Sequence, residues 1–158
     1  MRVCYNKKMQ TVAIDKLAFI QIKDRRVLET LSYGKNVWYI PGGKREAGES
    51  DEQALAREIK EESGLDVKLY NSDRQIEMGD VVQLFRPMHV LLENINPFHQ
   101  HIDFIYYATA DTDILNPQNG ETTDLKWFTA KEIKSLKGAP ENVKVLAVEA
   151  INLLSTPH

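Results

Sequence analysis

Three glutamates, Glu58, Glu61 and Glu62, stand at i, i+3 and i+4 within a stretch of good helix formers. On a helix that spacing projects all three carboxylates from one side. Like charges so placed oppose folding by roughly 0.2–0.5 kcal/mol per exposed pair, a cost that bound cations would offset. Hard divalent ions such as Mg²⁺ take oxygen ligands from one or two carboxylates together with substrate phosphates. The chemistry suggested is therefore metal-assisted reaction at a phosphate. Arg57 and Glu49 would brace the ligands through charge-assisted hydrogen bonds. Leu55 and Ile59, at i and i+4, would face the core and anchor the helix. Taken alone, an acidic helix face is more often simply solvated.

The residues around the cluster argue otherwise. Gly43, Glu49, Arg57, Glu58, Ile59, Glu61, Glu62, Gly64 and Leu65 are fixed in the order G, five residues, E, seven residues, RE, aliphatic, any, EE, any, G, aliphatic. From average residue frequencies, a chance match has odds on the order of 10⁻⁸ to 10⁻⁷. This is the Nudix box, over residues 43–65, and the chain resembles the Nudix hydrolases, the MutT-like superfamily. The resemblance implies one Nudix domain over 1–158, an α/β (α+β) fold in which a mixed sheet lies in an α/β/α sandwich and carries the box as loop–helix–loop.

It also implies hydrolysis of a nucleoside diphosphate linked to another moiety, with Mg²⁺ or Mn²⁺. Carried over residue by residue, Glu58 and Glu62 would be the principal metal ligands, joined by Glu61 and by the backbone carbonyl of Gly43. Arg57 would hold the glutamates and Glu49 would pair with Arg57. Metals in such a site neutralise diphosphate oxygens and lower the pKa of the attacking water, and a carboxylate removes its proton. The base comes from the box helix or from a later loop. Glu121, six residues before Trp127, matches the distance at which MutT-type enzymes place a metal-binding glutamate before a tryptophan; the competing reading is an ordinary surface glutamate. The subfamily markers of ADP-ribose, diadenosine polyphosphate, NADH and coenzyme A pyrophosphatases are missing. Elimination favours a small nucleoside triphosphate pyrophosphatase, oxidised purine nucleotides included. A nucleotide-sugar or dinucleoside polyphosphate substrate stays open, as does a non-catalytic nucleotide sensor, although such domains usually show eroded box glutamates.

The elements that must position these groups are legible in part. Val12 to Lys23 suits a largely buried strand, Lys23–Arg26 a turn, and Val27 to Tyr33 a returning strand. Val37 to Ile40 predicts a short aromatic strand ending at Pro41-Gly42-Gly43, after a turn at Gly34–Asn36. Ser50 with Gln53 forms a capping box that starts the box helix, and Gly64 stops it. Further strands are expected over Asp66–Tyr70, Val81–Ile95, Ile102–Ala110 and Leu125–Phe128. Thr129 with Glu132 caps a brief helix, and Glu141–Leu154 reads as a last amphipathic helix.

Composition limits the rest. With 158 residues, 42% hydrophobic and 27% charged, the chain suits one globular domain rather than two or a disordered chain. A net charge of −3 argues against stable nucleic-acid binding. The single cysteine, Cys4, forms no intramolecular disulfide. Neither a signal peptide nor a bilayer span is visible, so a cytoplasmic protein is expected, a monomer or homodimer acting on a small nucleotide. Trp38, Tyr39, Phe85 and Tyr33 are read as packing residues before stacking ones. Lys44 and Arg86 are candidate phosphate contacts. His99 and His101 share a strand face without a third zinc ligand.

Overall fold

β1 (Val12–Lys23) is the strand on which the molecule is organised. The computed structural model describes residues 12–31, 36–118, 120 and 124–155. β1 runs parallel to β7 (His99–Ala110) over an unbroken register from Val12↔His99 to Ile22↔Thr109. A two-residue turn at Asp24 and Arg25, both at positive φ (49° and 60°), returns it antiparallel into β2 (Arg26–Leu31). β2 in turn pairs with β3 (Trp38–Tyr39) and with β8 (Asp124–Thr129). On its far side β7 carries β6 (His89–Asn96) along its first half and β5 (Val67–Leu69) along its second. The sheet is therefore mixed.

Alternation along the central strands sorts the core into two layers. Leu17, Phe19 and Tyr106 point to one face, where Leu55 and Ile59 of α1 (Asp51–Ser63) cover them. Ile20, Ile22, Ile105 and Tyr107 point to the other, against Ile133 of α2 (Ala130–Ser135) and Leu146, Ala147, Ala150 and Ile151 of α3 (Glu141–Leu154). Each fully buried Leu, Ile or Phe contributes about 1.5–3 kcal/mol. The result is an α/β/α sandwich with the box helix forming one outer layer. No helix among the described residues is long and apolar enough to cross a membrane.

Two expectations differ from the structure. The strand expected over Val81–Ile95 begins only at His89; residues 82–88 lie in no strand, and Val81 makes one isolated bridge, to Met78. The reason is partner availability. Met88 N–H still donates to Ile105 O (2.7 Å), but the next stretch of that β7 edge is taken by Tyr70 N–H on Tyr107 O (2.7 Å) and then by β5. Pro87, lacking an N–H, ends the ladder at the same place. Residues 81–87 are left without an edge, and Val81, Val82 and Leu84 are exposed. Conversely, Gly42 and Gly43 were expected only to end a strand, yet they form a two-residue strand of their own, β4, antiparallel to Leu17 and Ala18. A Cβ on Gly42 would overlap the Leu17 carbonyl, so only glycine permits this approach.

Candidate active site

The box helix is fixed at both ends by its own sequence. Ser50 Oγ accepts from Gln53 N–H (3.3 Å) while Gln53 Oε1 accepts from Ser50 N–H (2.8 Å), the reciprocal capping box. Gly64 closes the helix in the left-handed conformation (φ 75°), its N–H donating to Lys60 O. Tyr106 Oη donates to Asp51 Oδ2 (2.8 Å), tying the first turn to the sheet. Buried Leu55 and Ile59 then set the rotation of the helix. That rotation turns Glu58 and Glu62 toward β4.

Backbone and carboxylates meet there. Gly42 N–H donates to Glu62 Oε2 at 3.1 Å. The Glu58 carboxylate packs on Gly43 so closely that a Cβ at position 43 would overlap it. Gly43 is thus both a strand residue and the open floor beneath a carboxylate.

Arg57 organises the other side of the cluster. Its guanidinium clasps Glu49 in a fork, Nε to Oε1 at 2.8 Å and Nη2 to Oε2 at 2.9 Å. Nη1 reaches Glu58 Oε1 at 2.9 Å and Glu61 Oε2 at 3.5 Å, and Nη2 also donates to the Lys44 carbonyl at 3.0 Å. One cation therefore touches Glu49, Glu58, Glu61 and the loop backbone. The hydrogen bonds from Arg57 and from Glu46 N–H hold the Glu49 carboxyl down at about 2. The same pairing pushes the guanidinium upward, so Arg57 stays charged. The carboxylates are held in place without being neutralised one for one.

A second loop seals the C-terminal end of α1. Asn116 N–H donates to Ser63 O and Gln118 N–H to Glu61 O, both at 2.8 Å. The Asn116 carbonyl sits where a Cβ on Gly64 would fall, so the box glycine also admits this loop. Glu121, assigned to the loop from sequence, lies outside the described residues, as do Tyr33, Cys4 and the Gly34–Lys35 part of the expected turn.

Gly42 and Glu62 help line a cavity of about 700 Å³, a size suited to a small organic ligand. Its walls include Tyr39, Ile40, Leu91, Ile105 and Leu146, and Gly120 borders it. Tyr39 thus faces this space. Trp38 packs edge-on against Phe128, ring centroids 5.0 Å apart, and Phe85 packs beside the α1 core. Arg86 pairs with Asp73. Lys44 is exposed and gives its carbonyl to Arg57. His101 opens into the cavity beside Glu93, Asp103 and Lys16, three residues that sequence reasoning missed. The signal was the alternation of His101 and Asp103 on one strand; Glu93 joins them only through the β6–β7 register.

The donor set fits a hard divalent cation. It consists of carboxylate oxygens, and the absence of a Cβ at Gly43 leaves the Glu58 carboxylate against the main chain. What such an arrangement can do is hold cations against a diphosphate and take a proton from water.

Comparison with known proteins agrees with this geometry. The family profile described as NUDIX domain matches residues 17–148. A hydrolase of the NUDIX family from Clostridium perfringens, solved by crystallography, is 33% identical, covers 89% of this chain and 97% of its own, and superposes with a TM-score of 0.78. The MutT protein of Methanosarcina mazei Go1 shares the fold at 14% identity, with 95% and 100% covered and a TM-score of 0.64. An RNA pyrophosphohydrolase of Edwardsiella ictaluri is 48% identical over 52 residues, 31% of this chain and 29% of that protein, so the match spans less than a third of that relative's length. A profile match over most of the chain, together with the Clostridium structure, establishes that this protein belongs to the Nudix family.

Proposed function

We propose that the chain is a Mg²⁺- or Mn²⁺-dependent pyrophosphohydrolase that cleaves a nucleoside diphosphate linked to another moiety, above all a nucleoside triphosphate, oxidised ones included. The observation that carries this is the Arg57-braced carboxylate face opening, through Glu62 and Gly42, into a cavity of nucleotide size. Glu58, Glu62 and the Gly43 carbonyl, with Glu61 beside them, would hold the cation. When bound, it supplies charge neutralisation for the diphosphate and a lowered pKa for water.

The remaining work belongs to the chain. Arg57 fixes the Glu58 and Glu61 carboxylates, so little reorganisation accompanies charge development in the transition state. Gly42 N–H holds one Glu62 oxygen in place. A box carboxylate not engaged with the cation takes the proton from the attacking water, and the cavity holds the rest of the nucleotide in line.

Glu121 is proposed to complete this centre from the loop after Gly120, as a ligand or as the base. Glu121→Gln should then lower kcat far more than it raises KM; an unchanged kcat would make Glu121 a surface residue. The test of the activity itself is turnover of nucleoside triphosphates, nucleotide sugars and dinucleoside polyphosphates with Mg²⁺ or Mn²⁺. Metal-dependent release of a nucleoside monophosphate is expected. No turnover of any of them by folded protein would turn the reading toward a sensor.

A further inference from the structure

Three side chains of the cavity wall that can ligate a metal take no part in the reaction proposed above: Glu93 from β6, and His101 and Asp103 from β7. The β6–β7 register sets Glu93 opposite His101. Asp103 follows His101 at i+2, on the same face of its strand. His99 and His101 lack a third zinc ligand along the sequence; strand pairing and strand alternation supply it. One ligand atom from each of Glu93, His101 and Asp103 lies within 4.8 Å of the other two. Atoms no farther apart than that share a centre within about 2.8 Å of each, against about 2.0–2.2 Å for a zinc–nitrogen or zinc–oxygen bond. An inward movement of under about 1 Å per side chain therefore closes a three-ligand shell.

The two carboxylates are short of partners. Asp103 is only 9% exposed. Neither it nor Glu93 receives a hydrogen bond or an ion pair from any other described residue. Lys16 stands opposite Asp103 in the β1–β7 register and lines the same cavity, yet it makes no ion pair with either carboxylate. Two carboxylates this close, one of them buried, repel each other, and a dication between them offsets both charges. The imidazole is steadied from the other side. His101 and His99 meet Nε2 to Nε2 at 2.9 Å. One of those nitrogens donates and the other accepts, so at least one ring is neutral. The contact also fixes the His101 ring, as a supporting partner does for a metal-ligating histidine.

We infer that Glu93, His101 and Asp103 form a second metal site, distinct in its chemistry from the box, for a borderline dication of the zinc type. The donor set decides the class of metal. The box offers oxygen atoms alone, which suits Mg²⁺. An imidazole joined to two carboxylates suits Zn²⁺ and its transition-metal neighbours, and gives Mg²⁺ a nitrogen it does not seek. Three protein ligands leave a fourth position of a tetrahedral ion free. Because all three side chains line the cavity, that position opens to water or to a donor atom of whatever the cavity holds. The box chemistry does not depend on this ion, and the site does not depend on the box.

The test is calorimetric titration of Zn²⁺ into the chelator-treated full chain, with excess Mg²⁺ present to occupy the box. One equivalent of zinc should bind and resist displacement by the Mg²⁺. Asp103→Asn and His101→Ala, each checked by circular dichroism, should weaken that equivalent by at least about 100-fold. Glu58→Gln/Glu62→Gln should keep it at wild-type affinity. A thermal melt gives a second reading that needs no enthalpy signal: zinc should raise the Tm of the wild type under Mg²⁺ and leave that of Asp103→Asn unmoved. Absence of the equivalent in the wild type overturns the site. So does zinc binding that survives both Asp103→Asn and His101→Ala, that is lost with Glu58→Gln/Glu62→Gln, or that shifts the melts of wild type and Asp103→Asn equally.

Discussion

Glu49, in the loop before the box helix, and Glu29, in the middle of β2, show two ways of holding a carboxyl in one folded chain. Glu49 takes both prongs of the Arg57 fork and the Glu46 N–H, and stays ionised down to about 2. Glu29 is fully buried, neither of its oxygens has a partner among the described residues, and burial raises its carboxyl well above the ordinary value. Burial thus favours the neutral form of Glu29 inside the sheet. The difference is the presence of donors, and it teaches what the box is built for. A carboxylate meant to meet a cation must be oriented by hydrogen bonds that do not cancel its charge, and Arg57 does this for several glutamates at once.

The largest expected effect comes from neutralising a carboxylate on the ionised side of that contrast. Glu62→Gln keeps volume and can still accept from Gly42 N–H, so the fold should survive. It removes the charge that would hold the cation, and kcat/KM should fall by at least about 100-fold. Wild-type turnover by this variant would sink the metal assignment. Arg57→Lys comes next. An ammonium has the charge but not the fork, and cannot serve Glu49, Glu58 and the Lys44 carbonyl together. Activity should drop by about 10- to 100-fold, with a raised metal requirement in a Mg²⁺ titration. An unchanged metal titration would show that the guanidinium geometry is irrelevant to the ligands.

How far the sequence carried these conclusions depends on the range of the interaction. The box helix was legible because its signals are local: Ser50 with Gln53 at one end, Gly64 at the other, and glutamates whose helical spacing fixes their common side. The two central strands were legible as apolar-rich runs over Val12–Lys23 and Ile102–Ala110. What stayed hidden was decided by pairing between distant segments. β-branched Val81 and Val82 suit a strand, but the edge they needed is taken by β5. Gly42 and Gly43 look like a turn until Leu17 and Ala18 offer an edge. Lys16, Glu93 and Asp103 are unremarkable polar residues until three strands fall into register. Glu29 looks like any outward position of a half-exposed strand, and only the packing of both sheet faces buries it.

The buried acid predicts a stability effect. Glu29→Leu replaces an unpartnered carboxyl by apolar surface of similar size, and should stabilise the fold at neutral pH by about 1–3 kcal/mol. Its folded pKa lies above the unfolded one, so the native state keeps a proton that the unfolded chain releases. The stability of the neutral acid is therefore complete below the unfolded value of 4.5 and declines as pH rises above it. Thermal unfolding across this range should show that decline in the wild type and a smaller one in Glu29→Leu. A variant that is less stable than wild type at neutral pH would mean that Glu29 has a partner.

Glu49 supplies the opposite sign and the smallest effect. Its carboxyl is lowered from 4.5 to about 2 by Arg57, so the native state releases a proton that the unfolded chain binds. The contribution of the pair is whole above pH 4.5 and fades as the pH falls toward about 2. Because the pair is only partly buried, salt should weaken it. Glu49→Gln should therefore leave the melting temperature lower than wild type near neutrality and converge with it in acid. Measured side by side, Glu29→Leu and Glu49→Gln should depart from wild type in opposite directions at neutral pH, and both differences should shrink on acidification. Parallel curves for wild type and Glu49→Gln through the acid range would show that the Arg57 fork contributes no linked protonation, and the distinction between a braced and a stored carboxyl would lose its electrostatic basis.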